Sequence, residues 1–214
     1  MKFYNQDKKI KLFNFKEMSC INYGNTANIY KIDNNIFKKY YLYTNSNFRI
    51  DLEIFKILKQ INSNNMIKIY ELLYDDINLL ETSGYLAKYY ENKRINIFDK
   101  DLDYVLDNIN YIEKLFDELS KNIIMVHDVK YKNTILTDEN IILIDPDAYK
   151  KVVYSYESLK VINQKELISL LKNIYLCCLS KKEDCKKIYD LFDIEVNNST
   201  NVTYELSKRL KRLY

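Results

Sequence analysis

Apolar positions along the chain change their spacing near residue 100. Before it, "EMSCINY", "ANIYKID" and "NIFKKYYLY" predict three strands, and the "DNN" between the last two is turn chemistry that predicts a hairpin. "FRIDLEIFKILKQI" places apolar residues three and four apart and predicts a helix. "MIKIYELLYDD" and "SGYLAKYYE" return to strands, joined by a polar turn. After residue 100, "LDYVLDNINYIEKLFDELSKNIIMV" reads as one long amphipathic helix without Gly or Pro. Two short apolar runs, "NTIL" and "IILIDPD", flank "TDEN" and predict a small hairpin. From about residue 164 the chain is mostly helical, ending in the basic amphipathic "YELSKRLKRLY". The pattern is that of an α+β protein, strand-rich with one helix first and helix-rich afterwards.

Composition narrows the classes. The 214 residues are 47% hydrophobic, enough for one large domain or two small lobes. A net charge of +3 with 29% charged residues does not describe a dedicated nucleic-acid binder. The first fifteen residues have scattered charge and no apolar segment of a signal peptide, and no run approaches a membrane span. These features predict a soluble, cytoplasmic protein with no membrane partner. Cys20, Cys177, Cys178 and Cys185 lack a zinc-ligand spacing, and Cys177 and Cys178, inside "LISLLKNIYLCCLS", are expected to be buried, reduced thiols. The 21 tyrosines accompany abundant Asn, Lys and Ile, as AT-rich codons produce, and carry no functional weight.

The anomaly is "IIMVHDVKYKNTILTDENIILIDPDAY", residues 123–149, a very apolar stretch that carries several carboxylates. In "HDVKYKN", Asp128 and Asn133 are five apart with Lys130 between, and Asp145 ends the apolar run "IILI". This resembles the catalytic core of the protein-kinase-like superfamily, which includes aminoglycoside-phosphotransferase-type enzymes, where H-R-D-L-x-x-x-N is followed by D-F-G. The resemblance covers roughly residues 18 to 180. It implies a two-lobed kinase-like fold with an N-lobe (residues 1–91) of antiparallel sheet and one main helix, and a reduced helical C-lobe (residues 92–214). ATP and Mg2+ would bind in the cleft. Asp128 would orient or deprotonate an acceptor hydroxyl, and Lys130 would contact the transferred phosphoryl group. Asn133 and Asp145 would hold magnesium, with Asp147 either a second ligand or directed to solvent.

Upstream, "INYGNTANIYKI" resembles the nucleotide-covering loop. Gly24 matches its middle glycine, Asn25 follows in the same loop, and Ile29 matches the valine after it; an ordinary Gly-containing hairpin turn is the bland alternative. "NIFKKYY" resembles the strand with the phosphate-binding lysine. Lys38 is matched to it, and Lys39, on the opposite face of a strand, is the alternative. Glu53 matches the helix glutamate that pairs with that lysine. "GYLAKYYENKRI" resembles the gatekeeper and hinge, with Ala87 followed by Lys88, Tyr89 and Tyr90, whose backbone would meet adenine.

Departures from the pattern shape the functional expectation. His127 stands directly before Asp128 in place of the usual Arg and is expected to pack under the loop. Lys130 favours a protein acceptor, giving a small Ser/Thr protein kinase. The short stretch after Asp145, without A-P-E, favours a small-molecule kinase of the aminoglycoside or sugar type. A nucleotide-binding pseudokinase serving as a binding module and a nucleotidyl transferase are the further alternatives.

Overall fold

The computed structural model describes residues 1–15, 17–61, 63–75, 81–91, 95–179 and 184–214. The polar turn expected between the strands at 66–76 and 83–91 falls largely on 76–80, and 92–94 of the expected hinge stretch also lie outside the described residues. The fold is α+β, and the chain divides into two compact units, Met1–Asn62 with Ile67–Tyr90, and Ser63–Met66 with Glu91–Tyr214.

The first unit is built on a seven-stranded antiparallel sheet: β1 (Lys2–Asn5), β2 (Ile10–Leu12), β3 (Ser19–Tyr23), β4 (Ala27–Ile32), β5 (Asn35–Tyr40), β6 (Ile69–Asp75) and β7 (Gly84–Lys88), in the order β2-β1-β6-β7-β5-β4-β3. Asp33 at φ 51° makes the two-residue turn that joins β4 to β5, with Ile32 opposite Asn35. Asp tolerates this left-handed region better than most side chains. The N-terminal hairpin was not foreseen. Asn5 holds its turn by accepting from the Asp7 and Lys9 N–H groups at 3.0 and 2.9 Å, and β1 extends the sheet beyond β6.

Strand alternation gives this sheet two different faces. One carries Phe3, Phe37 and Leu73, all fully buried, against Phe13, Phe15, Tyr30 and Leu86. The other carries Ile29, Lys38 and Tyr85 in one cross-strand row. The only α-helix of the unit among the described residues, α1 (Leu52–Gln60), starts on this second side, where the Ile50 N–H donates to the Tyr40 hydroxyl. Asp51 caps it at Ile54 N–H, 2.8 Å, and Ile54 and Phe55 bury its apolar stripe.

The second unit holds α2 (Leu102–Lys121), β8 (Ile124–Met125), β9 (Thr134–Leu136), β10 (Ile141–Leu143), β11 (Lys150–Lys151), α3 (Tyr156–Cys178), α4 (Cys185–Leu191) and α5 (Val202–Leu210). In α2, Val105, Ile109, Ile112, Phe116 and Leu119 recur at helical spacing and are buried. The sequence pattern extends this helix to residue 126, but it ends at Lys121: Asn122 caps it, Ile123 turns to φ 55°, and Ile124 and Met125 pair with β11. Apolar continuity could not reveal that stop, because its cause is a strand partner twenty-five residues away. α3 begins at Tyr156, capped by Ser155, well before the expected residue 164. Cys177 is exposed and Cys178 half-buried, so the expected buried thiols are corrected: both lie in the last turn of α3.

Candidate functional site

In the second unit, residues 127–133 form a loop that closes on itself. Asp128 adopts φ 56°, a left-handed conformation rare outside glycine. The Asn133 amide Nδ2 donates to the Asp128 main-chain carbonyl at 2.8 Å and to its Oδ2 at 3.3 Å. The Lys130 ammonium pairs with Asp128 Oδ1. Burial alone would raise the Asp128 carboxyl, but the Lys130 hydrogen bond and charge, the Lys132 charge and the Asn133 hydrogen bond outweigh it and hold it below the usual carboxylate range. Asp128 is therefore an anion with its hydrogen-bonding partners in place. His127, expected under the loop, is exposed; Val129 is the loop residue that turns inward and is buried.

The hairpin β9–β10 brings the metal-ligand candidates to this loop. Ile144 N–H donates to the Asn133 carbonyl at 3.0 Å, so Asp145, the next residue, emerges beside Asn133. The strand feeding it, Ile141–Leu143, is wholly buried. Asp147 is buried in the single 3-10 turn Pro146–Ala148. The hairpin is fixed by two buried asparagines. Asn108 on α2 accepts from Ile141 N–H at 2.7 Å, and Asn65 donates to Asn108 Oδ1 at 2.7 Å and to the Ile141 carbonyl at 2.9 Å. These bonds explain why Ser63–Met66 belongs to this unit.

Because Asn133 Nδ2 is committed to Asp128, its Oδ1 remains the donor atom for a cation. Amide and carboxylate oxygens suit a hard ion. Among the described residues no group of three or more His, Cys, Asp or Glu gathers for a metal. The set present fits magnesium, which takes one or two protein carboxylates and completes its shell with water and phosphate oxygens.

The first unit carries the nucleotide candidates. Lys38 is only 6% exposed, a burial unusual for a lysine. It sits between Ile29 and Tyr85 in the cross-strand row, with its Nζ 5.9 Å from the Tyr40 and Tyr85 ring centres. Lys39 lies on the other face, its Nζ 4.8 Å from the Phe15 ring and 3.4 Å from Met1 Sδ. Glu53 occupies the first turn of α1 at an exposed position. Gly24 and Asn25 are exposed in the β3–β4 turn, closed by Gly24 N–H to the Ala27 carbonyl at 2.9 Å. At the C-terminal end of β7, the N–H groups of Lys88 and Tyr89 donate to the Lys68 and Asn34 carbonyls. Burial raises the Tyr90 phenol above its ordinary range.

Three residues of the second unit escaped the sequence reading. Asn163 on α3, fully buried, accepts from Val126 N–H at 2.9 Å and donates to the Ile124 carbonyl at 3.0 Å and to Ser120 Oγ at 2.8 Å, which fixes the chain leading into the loop. Glu166 stands one turn further along the same helix. Burial raises its carboxyl; the His127 charge lowers it, Asp128 raises it further and Lys130 lowers it. Tyr149 is buried, and its phenol is raised strongly by burial, with the Asp145 and Glu166 charges adding to the effect. The signal was present as "NQKE" interrupting an apolar helix, but its meaning depends on what that helix faces. No protein-family model matches the chain, and no curated protein matches it.

Proposed function

We propose that the protein is an ATP- and magnesium-dependent phosphotransferase that acts on a hydroxyl acceptor. The observation that carries this reading is the junction of Asp128, Asn133 and Asp145: the Asn133 amide holds Asp128, and the Asn133 carbonyl accepts from the Ile144 N–H, so the three residues meet where one loop joins one hairpin. Their order and spacing match the kinase-like pattern, and the sheet with one helix followed by a helical unit agrees with its layout.

In this reading Asp128 accepts a hydrogen bond from the acceptor hydroxyl and takes its proton as the new oxygen–phosphorus bond forms and the bond from the γ-phosphorus to the ADP oxygen breaks. Lys130 neutralises the moving phosphoryl group. Asn133 and Asp145 would hold Mg2+, with Asp147 behind them; the ion would supply positive charge to the phosphate oxygens. Lys38, with Glu53, addresses the α- and β-phosphates. The turn at Gly24 and Asn25 covers them, and Ile29 and residues Lys88, Tyr89 and Tyr90 meet the base. A Cβ added at Gly24 would find nothing nearer than the Ala27 carbonyl at 4.0 Å, so the fold leaves open space there for phosphate oxygens to approach the backbone. Catalysis by such a set is positioning and charge stabilisation.

The Asp128–Lys130 pair supports a small Ser/Thr protein kinase. The brevity of the stretch from Asp145 to the start of α3 favours the second reading, a small-molecule kinase: residues 146–155 contain only a 3-10 turn, β11 and the Ser155 cap, which leaves little chain to dock a peptide. Incubation with γ-labelled ATP and magnesium, with and without cell lysate, separates them. Label on protein supports the first, and label on small molecules alone supports the second. ATP binding without transfer to either would leave a pseudokinase.

A further inference from the structure

We propose that the first unit carries a second binding site, apart from the row that holds Lys38, and that it takes an aromatic amino acid as its zwitterion. The site does not depend on the phosphotransferase reading.

It is a cavity of about 670 Å³ between the N-terminal hairpin and the chain that enters α1, within the roughly 300–1,000 Å³ of small-molecule pockets. Its wall is satisfied from within. The Arg49 side chain, 10% exposed, donates through Nε to the Thr44 carbonyl at 3.0 Å and through its other nitrogens to the carbonyls of Thr82, Tyr41 and Leu42. Glu81 faces the guanidinium at 3.6 Å, and the Thr82 hydroxyl donates to the Ile50 carbonyl at 2.6 Å. Arg49 and Glu81 offset each other, so neither sets the charge of the ligand.

What remains in the wall is a pair of rings and two opposite charges. Tyr4 and Tyr74 stand directly opposite each other on β1 and β6, on the second face of the sheet, and both are half-buried. Neither ring stacks on another aromatic ring among the described residues. The Lys2 ammonium rests 4.7 Å from the Tyr4 ring centre, which leaves Tyr74 as the ring without a cation on it. With Ile50 and Leu52 beside them, these rings suit a flat aromatic group. Asp51 spends Oδ1 on the Ile54 N–H at 2.8 Å and keeps Oδ2. Its charge reaches the Tyr74 phenol, which burial raises, the Thr82 hydrogen bond lowers and Asp51 raises further. Lys8 lines the same cavity from the β1–β2 turn, where its N–H donates to the Asn5 carbonyl at 2.9 Å. Among the described residues neither Asp51 nor Lys8 has an ion-pair partner, and they do not pair with each other. A purely cationic ligand would leave Lys8 opposed to it, and a purely anionic one would leave Asp51 so. A ligand with both charges answers both. An aromatic amino acid joins a ring, an ammonium and a carboxylate in one molecule, and the cavity admits the bulkiest of them, tryptophan.

The full chain has no tryptophan, so the emission of added L-tryptophan, excited beyond the tyrosine absorption, reports the ligand alone. Titration with wild type should give a saturable shift of that emission, and excess ATP with magnesium should not reverse it. Asp51→Asn keeps the helix cap, since Asn caps as well as Asp. It should weaken L-tryptophan and tryptamine, which lacks the carboxylate, by roughly tenfold each, the worth of one charged hydrogen bond, without weakening indolepropionate, which lacks the amine. Lys8→Gln should do the reverse, weakening L-tryptophan and indolepropionate and sparing tryptamine. Absence of a saturable shift with wild type overturns the inference. Reversal by ATP places the ligand on the nucleotide face and overturns it as well. Affinities that neither variant changes, or losses equal for all three ligands, would show that Asp51 and Lys8 do not read the two charges, and also overturn it.

Discussion

The Asn133 amide donates to the Asp128 main-chain carbonyl at 2.8 Å, five residues back along the chain, and the same nitrogen lies 3.3 Å from Asp128 Oδ2. One side chain thus holds both the backbone and the carboxylate of a residue at φ 56°. A non-glycine residue in that region stores about 1–3 kcal/mol and persists only when its surroundings enforce it. Asn133→Ala should therefore reduce stability by about 1 kcal/mol, the worth of a hydrogen bond, while turnover falls by orders of magnitude through loss of the oxygen donor. Denaturant melts and labelled-ATP assays on one preparation check this. Wild-type turnover in a folded Asn133→Ala protein would take Asn133 out of the chemistry.

The neighbouring lysines of β5 give an internal control. Lys38 shares its face with Ile29 and Tyr85, and Lys39 faces the aromatic cluster. Lys38→Met should abolish most phosphoryl transfer and weaken ATP binding. Lys39→Met should leave both nearly unchanged. Comparable effects of the two, or the reverse order, would show that the row containing Lys38 is not the nucleotide face.

The two glycines should separate stability from binding. A Cβ at Gly84 would lie 2.2 Å from the Lys38 carbonyl oxygen and 2.7 Å from Phe37 Cε2, so Gly84→Ala must push β7 away from β5. A loss of about 2–3 kcal/mol is expected from such overpacking. Gly24→Ala meets open space and should change stability by less than about 0.5 kcal/mol, while nucleotide affinity falls severalfold. Equal stabilities for Gly84→Ala and wild type, read from urea midpoints, would contradict the close approach of these strands.

What could be read from the chain follows from how local each signal is. The β4–β5 hairpin was legible because Asp33 and Asn34 carry turn chemistry between two strand-like runs. The loop was legible because Asp128, Asn133 and Asp145 are close in sequence as well as in space. The N-terminal hairpin was not legible. Its strands are only four and three residues long, and β1 finds its partner in β6, some seventy residues away. The end of α2 was hidden for the same reason. Glu166 and Asn163 were invisible as site residues because a helix pattern reports which face is apolar, and does not report which loop crosses that face.

The anchor between α2 and α3 yields a prediction whose sign depends on pH. The Tyr156 hydroxyl donates to Asp117 Oδ1 at 2.6 Å, and Lys121 pairs with Oδ2 at 2.9 Å. Burial works to raise the Asp117 carboxyl, but the Tyr156 hydrogen bond and the Lys121 hydrogen bond and charge outweigh it, so its folded pKa lies below the ordinary 3.8. A depressed folded pKa means that the unfolded chain binds the proton first. The stabilisation is therefore complete above the unfolded value and is lost as pH falls through the folded one. Tyr156→Phe keeps the ring and removes only the hydroxyl. It should cost about 1 kcal/mol at neutral pH, and the difference from wild type should shrink once the pH drops below the ordinary carboxylate range. Urea unfolding of both proteins at a series of pH values from neutral down to about 3 measures it. A difference that stays constant across that series would mean that the hydroxyl does not act through the Asp117 charge, and the anchor would then have to be ascribed to packing of the tyrosine ring against α2.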